Sequence, residues 1–249
     1  MSARPYTVLS CCISLDGYLD DAADRRLHLS NDADFARVDG VRATCDAILV
    51  GAGTVRSDDP RLLVRAPTLR AARVGAGRGS SPMKVTVTRT ADLDPESRFF
   101  TTGDADRLVY SSSTAHTRAR QRFGDLATIV DAGRRPTMSE VVQDLAARGV
   151  ERLLVEGGRS VLTQFLAAGL ADELQLAVAP VFVGDSRAPR FVDDGPFPWT
   201  GARRAELTGT RAVGDVAVLT YALSERAVHP LPQPDALPVP ADAADRRHG

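Results

Sequence analysis

Lysine is almost absent from this chain. Of its 31 basic residues only Lys84 is not arginine, so an arginine-rich stretch carries no functional signal by its richness alone. Neither sign of charge dominates. The formal net charge is −1 over 249 residues, and the chain lacks the electrostatic footprint of a nucleic-acid binder. No run of about 18 apolar residues occurs, so no membrane-spanning helix is expected. The opening MSARPYTVLSCC has no charged start, apolar centre and small-residue cleavage site of a secretory signal, and a cytoplasmic location is expected. Cysteine is scarce too. Cys11, Cys12 and Cys45 form neither a metal-ligand spacing nor an even disulfide framework. No metal is expected, and the three read as buried thiols, with Cys11 and Cys12 on opposite faces of one strand.

What is present suits one α/β domain. Hydrophobic residues make up 43% of the chain, enough for a sizeable core. Strand patterns fall at 6–13, 47–50, 84–88, 108–110, 128–130, 153–155, 174–179 and 216–221. Helical patterns fall at 32–42, capped by Asn31, and at 115–123, 138–148 and 160–168. Their alternation predicts a mixed, mostly parallel central sheet with helices on both faces. The stretch 66–81, with Gly75, Gly77 and Gly79, reads as a flexible surface loop. From Ser224 onward five prolines and few large apolar residues predict a disordered tail. Residues 1–223 are then the folded domain and 224–249 the tail.

Two segments carry chemistry. The first is DAILVGAGTVRSDDPRLLVR, Asp46 to Arg65. A buried strand ends at Val50, and Gly51 and Gly53 permit a tight turn. Thr54 offers a hydroxyl, Asp58 and Asp59 carboxylates, and Arg61 and Arg65 bidentate anion donors. Polar groups gathered where a strand ends suit a ligand-binding edge. The second is LLVEGGRSVLTQFLAAGL, Leu153 to Leu170. Here a strand runs through Glu156 into Gly157 and Gly158 and then into a helix. The free amides and dipole of a helix N-terminus suit an anion, often a phosphate. The pattern is neither the Rossmann nor the P-loop fingerprint.

Together with RPYTVLSCCISLDGYL (Arg4 to Leu19), LADELQLAVAPVFVGD (Leu170 to Asp185) and APRFVDDG (Ala188 to Gly195), these segments resemble the pyrimidine reductase family of riboflavin biosynthesis. That family has a dihydrofolate-reductase-like fold. The resemblance runs from about Arg4 to Tyr221 and is nearer to free-standing reductases than to the C-terminal reductase domain of the bifunctional deaminase-reductase. It implies hydride transfer from NADPH to C1′ of a ribosylamino-pyrimidine 5′-phosphate, which opens the ribose to a ribityl chain. The diamino-pyrimidinone and the amino-uracil both stand as substrates. A homodimer is also implied.

Residue by residue, the resemblance assigns Cys12, Thr54, Asp58, Thr88, Arg89 and the run Gly157, Gly158, Arg159, Ser160, Val161 and Leu162 to the cofactor. Arg89 suits a 2′-phosphate and would favour NADPH over NADH. Arg42, Leu62, Arg65 and Glu156 fall to the substrate, with the two arginines as donors to its 5′-phosphate. Glu156 and Asp58 are the catalytic candidates, and no residue stands out as a general acid. His28 occupies a place where some bifunctional members carry tryptophan, and Asp16 suits a cap on the turn at Gly17. Two other readings remain: a reductase of this fold acting on another pterin or pyrimidine such as dihydrofolate, and a non-catalytic NADPH-binding module.

Overall fold

A computed structural model describes residues 4–23 and 27–228. In chain order its elements are β1 (Tyr6–Ser14), α1 (Asp32–Thr44), β2 (Ala47–Gly51), α2 (Ala52–Asp58), α3 (Pro67–Gly75), β3 (Met83–Thr88), α4 (Arg98–Thr101), β4 (Arg107–Ser111), α5 (His116–Phe123), β5 (Thr128–Asp131), α6 (Met138–Ala147), β6 (Arg152–Gly157), α7 (Arg159–Ala167), β7 (Glu173–Ala179), β8 (Glu206–Val213), β9 (Val216–Ala222) and α8 (Glu225–Val228). One nine-stranded sheet runs β5-β4-β3-β2-β6-β1-β7-β9-β8. From β5 to β7 every pairing is parallel, and β9 lies antiparallel to both β7 and β8. Strands paired parallel need covering on both faces, which is why Ile48, Leu49, Leu153, Leu154 and Val155 form apolar runs and are all fully buried.

The two faces have separate cores. On one, Val141, Val142 and Leu145 of α6 and Leu162 and Phe165 of α7 pack on Leu9, Leu49 and Val155. On the other, Val55 of α2, Phe99 and Phe100 of α4 and Phe123 of α5 pack on Val8, Ile48 and Leu154. The fully buried Tyr110 hydroxyl donates to Asp144 of α6 at 2.6 Å. Cys11 and Cys12 face opposite sides, Cys11 in the α6–α7 core and Cys12 against a small cluster beside β9.

Two expectations change, and one strand is added. The stretch 66–81 contains α3 rather than being loop throughout. Pro67 opens that helix, where its missing N–H is not needed. Its start is held by the buried Asp39 carboxylate, which accepts the N–H groups of Arg65 and Ala66, each at 2.7 Å. Arg73, 3% exposed, donates to the carbonyls of Ala43, Cys45 and Gly79. The described fold also extends past 223, where the tail is expected to begin. Ser224 and Arg226 both reach the buried Asp172 carboxylate, and Glu225–Val228 forms a helical turn. Residues 229–249, the rest of the expected tail, lie outside the described residues. Finally, β8 is exposed on nearly every position, so it has no apolar alternation by which its sequence would announce a strand.

Candidate active site

The site starts where β2 and β6 end side by side, with Val50 opposite Gly157. Both strands run directly into helices. Instead of the tight turn expected at Gly51 and Gly53, α2 begins at Ala52 with Gly51 as its N-cap. A Cβ on Gly51 would lie 2.9 Å from Cγ2 of Val161 in α7, so the two helices meet here only because Gly51 has no side chain. Gly157 has φ +120°, a conformation left to glycine, and its peptide bond to Gly158 is cis. A Cβ on Gly158 would lie 2.9 Å from Thr54 Oγ1. The first turns of α2 and α7 thus abut across two glycines.

This contact leaves the start of α7 open. Gly158 is its N-cap and offers no side-chain cap, so the first N–H groups of the helix are available to an anion. Val161 and Leu162 are 7% and 0% exposed, and their N–H groups donate to the Gly158 carbonyl at 2.9 and 3.0 Å, so the open N–H groups are those of Arg159 and Ser160. Ser160 is exposed, and Arg159 is paired with Asp193 at 3.0 Å on the surface. Thr54 is half-buried against Gly158, and Asp58, at the far end of α2, accepts the Ser57 hydroxyl at 2.6 Å. Thr88 ends β3 with its hydroxyl accepting the Ala91 N–H at 3.0 Å, while the Arg89 side chain is exposed. Cys12 stands on β1 opposite Ala177, with burial pushing its thiol pKa up. Groups expected at a cofactor therefore line the carboxyl edge of β1, β2, β3 and β6.

The expected substrate groups are arranged differently from their sequence reading. Arg42 is not held out as an anion donor. Its Nε and Nη2 each donate to Glu156 at 2.7 Å, and its Nη1 donates to the Leu63 carbonyl at 3.0 Å. Burial works against the Arg42 charge, the Glu156 carboxylate outweighs it, and the guanidinium pKa is raised. The pair spans 114 positions of sequence, and no local pattern announces it. Arg65 is exposed, stacks over Phe35 at 5.4 Å and makes no ion pair among the described residues. Leu62 is 1% exposed with φ +49°, so it presents its main chain. Asp16 does more than cap its turn: it accepts the Ser14 hydroxyl and the N–H groups of Val183 and Gly184. Those donors, the Ser14 hydroxyl first, hold its pKa down at about 2. His28 is exposed. Lys84, unremarked in the sequence except for its rarity, is fully buried and donates to the carbonyls of Phe99 and Thr102 at 3.1 and 2.6 Å.

Residues 5–219 match the family model described as the RibD C-terminal domain. The chain belongs to this family. A relative from Methanothermobacter thermautotrophicus is 33% identical over 220 residues, covering 88% of this chain and 98% of its own. One from Archaeoglobus fulgidus is 33% identical over 195 residues, covering 78% and 89%. Both are named 2,5-diamino-6-ribosylamino-4(3H)-pyrimidinone 5′-phosphate reductase. Among solved structures, a pyrimidine reductase-like protein from Corynebacterium diphtheriae superposes with a TM-score of 0.75 at 21% identity, covering 88% of this chain and 91% of its own. That likeness supports the fold. Among the described residues no helix is long and apolar enough to cross a membrane, and no cluster of three or more His, Cys, Asp or Glu side chains is placed to hold a metal ion.

Proposed function

We propose that this chain reduces a ribosylamino-pyrimidine 5′-phosphate to its ribitylamino form in riboflavin biosynthesis, with NADPH as hydride donor. The observation that carries the reading is the single edge on which an uncapped helix N-terminus, Thr54, the Arg42–Glu156 pair and the exposed Arg65 stand together. These groups fit a dinucleotide and a phosphorylated substrate. The α7 N-terminus suits the cofactor pyrophosphate, Thr54 borders it, and Asp58, at the far end of α2, is assigned to the cofactor by the family likeness. The exposed Arg89 suits a 2′-phosphate. When bound, NADPH supplies the hydride that C1′ of the substrate accepts. The chain's own part is positioning. Glu156, fixed in plane by Arg42, accepts hydrogen bonds from ribose or ring N–H groups. Arg65 pairs with the 5′-phosphate, and the Leu62 main chain borders the ring.

The likeness to two free-standing relatives named for the diamino-pyrimidinone favours reduction of that compound over the amino-uracil. We read the active protein as a cytoplasmic homodimer, supported by the exposure of Phe182 at 74% and Leu207 at 51% and by three unpaired thiols. β7 lies inside the sheet, so in this reading the partner covers Phe182 rather than that strand.

A panel assay decides. NADPH oxidation is followed with the diamino-pyrimidinone, the amino-uracil and dihydrofolate. Turnover of the first is expected to be fastest. Arg65→Ala should lower its kcat/KM by about a hundredfold, about 3 kcal/mol, with little change in NADPH affinity. Arg89→Ala should narrow the preference for NADPH over NADH. Turnover of dihydrofolate alone would overturn the reading, as would cofactor binding without turnover of any of the three. Light scattering at low micromolar concentration tests the dimer.

A further inference from the structure

The short helix α4 cannot stand alone. It spans one turn, far below the length at which a helix is stable in water, and its N-cap residue Ser97 makes no side-chain cap bond. Its ends are closed from elsewhere. At the N-terminus, Asp59 Oδ1 accepts the Arg98 N–H at 2.6 Å and Oδ2 accepts the Arg98 Nε–H at 2.8 Å. At the C-terminus, Lys84 Nζ takes the carbonyls of Phe99 and Thr102. Between them Phe99 and Phe100 are buried, and Phe100 stacks on Phe123 with centroids 5.0 Å apart. α4 is therefore a post fixed in the core.

Asp59 ties the site to that post. It is the residue at which α2 ends, in the left-handed conformation with φ +42°. Among the described residues only Asp59, Leu62 and Ala91 adopt positive φ without being glycine. The first two bracket the bend that leads from Asp58 to Arg65. Ala91 sits in the β3–α4 connection, which α2 also grips through Arg56 Nη1 on the Asp92 carbonyl at 2.9 Å. Backbone in this region persists only where its surroundings over-determine it. Here the surroundings are the Arg98 bonds, the burial of Leu62, Arg42 on the Leu63 carbonyl and Asp39 on the amides of Arg65 and Ala66.

We propose that Asp59 is a positioning residue: by capping α4 it fixes the bend after α2 and so sets both Asp58 toward the cofactor and Arg65 toward the substrate phosphate. The proposal rests on the reading of the site given above. It separates two roles of Asp59, tolerance of left-handed backbone and the bond to Arg98. Asp59→Gly keeps the first and removes the second. Asp59→Asn keeps the first and retains an acceptor for the Arg98 N–H.

The experiment compares wild type, Asp59→Gly, Asp59→Asn and Val142→Ala, which trims the core on the opposite sheet face. Melting temperature, NADPH affinity by titration, and KM and kcat for the pyrimidine are read for each. For Asp59→Gly, both NADPH Kd and substrate KM are expected to rise about tenfold or more. Asp59→Asn should recover most of the loss, and Val142→Ala should melt earlier with neither constant moved. Folded Asp59→Gly with wild-type constants overturns the proposal. So does Val142→Ala if it raises both constants as much as Asp59→Gly does, since the loss would then follow stability alone. If wild type turns over no pyrimidine, the functional reading fails separately. NADPH binding by the same variants then decides: an unchanged Kd in Asp59→Gly overturns the positioning role, and a tenfold weakening supports it.

Discussion

At the β6–α7 turn the main chain dominates: Gly157 and Gly158 carry no side chain, and the start of α7 has no side-chain cap. Across the same edge, between Asp59 and Ala66, nearly every group on offer is a side chain held by another side chain, or a main-chain group pinned by one. The first arrangement is local and comes with the choice of two or three consecutive residues. The second is assembled from α1, β6 and α4, which lie far apart in sequence. One end of this edge is thus sensitive to any added atom, and the other to the loss of a distant partner.

The sharpest way to break the main-chain end is Gly158→Val. Its Cβ falls on Thr54 Oγ1, and the rest of the side chain would crowd the helix start. NADPH affinity measured by titration should fall at least about a hundredfold, roughly 3 kcal/mol, with circular dichroism near wild type. A folded variant with unchanged affinity would remove this turn from the cofactor site.

The side-chain end breaks through Arg42. Arg42→Met leaves the Glu156 carboxylate, 13% exposed, without its partner. Because some exposure remains, about 2 kcal/mol of stability is expected to go rather than the larger loss of a fully buried pair, read as a fall in melting temperature of about 5 °C. Glu156→Gln added to Arg42→Met should restore much of that stability and little of the turnover. Recovery of both by the double variant would show the pair to be scaffolding only.

What could be read from the sequence follows the same division. The sheet strands other than β8, the helices of the α6–α7 face and the diglycine turn were visible because their cause is local: apolar runs, periodicity, and glycine after a strand. α3 was hidden because its stabilising contacts, Asp39 at its start and Arg73 into the turn after α1, are non-local, while the glycines that follow it suggested a loop. α2 was hidden by Gly51 and Gly53, which suggested a turn where Gly51 instead allows α7 to approach. Arg42 and Arg65 looked alike as anion donors, and only the fold shows that one is committed to Glu156. In the sequence Lys84 is distinguished only as the lone lysine. Its task, closing α4, depends on where a strand and a one-turn helix meet.

The smallest effect lies outside both ends. Asp16 straps the end of β1 to Val183 and Gly184, and its pKa sits at about 2 against an ordinary 3.8. A carboxyl lowered on folding contributes stability that is complete above its unfolded value and is lost as pH falls through the folded one. The stability difference between wild type and Asp16→Asn should therefore be constant above about pH 5 and shrink toward pH 2, with NADPH and substrate constants at neutral pH the same in both. A difference that grew on acidification would reverse the sign and discard the strap.

The strand order has a consequence for synthesis. β1 is made well before either of its neighbours, yet it sits between β6 and β7 in the sheet, and Tyr6 pairs with Arg152. At ordinary translation rates its partners emerge roughly 7 to 30 s later. Through that interval the segment YTVLSCCIS has no native neighbour on either edge. Closure of the sheet centre is necessarily a late, long-range event, and the nascent chain carries an adhesive apolar strand until its second half arrives.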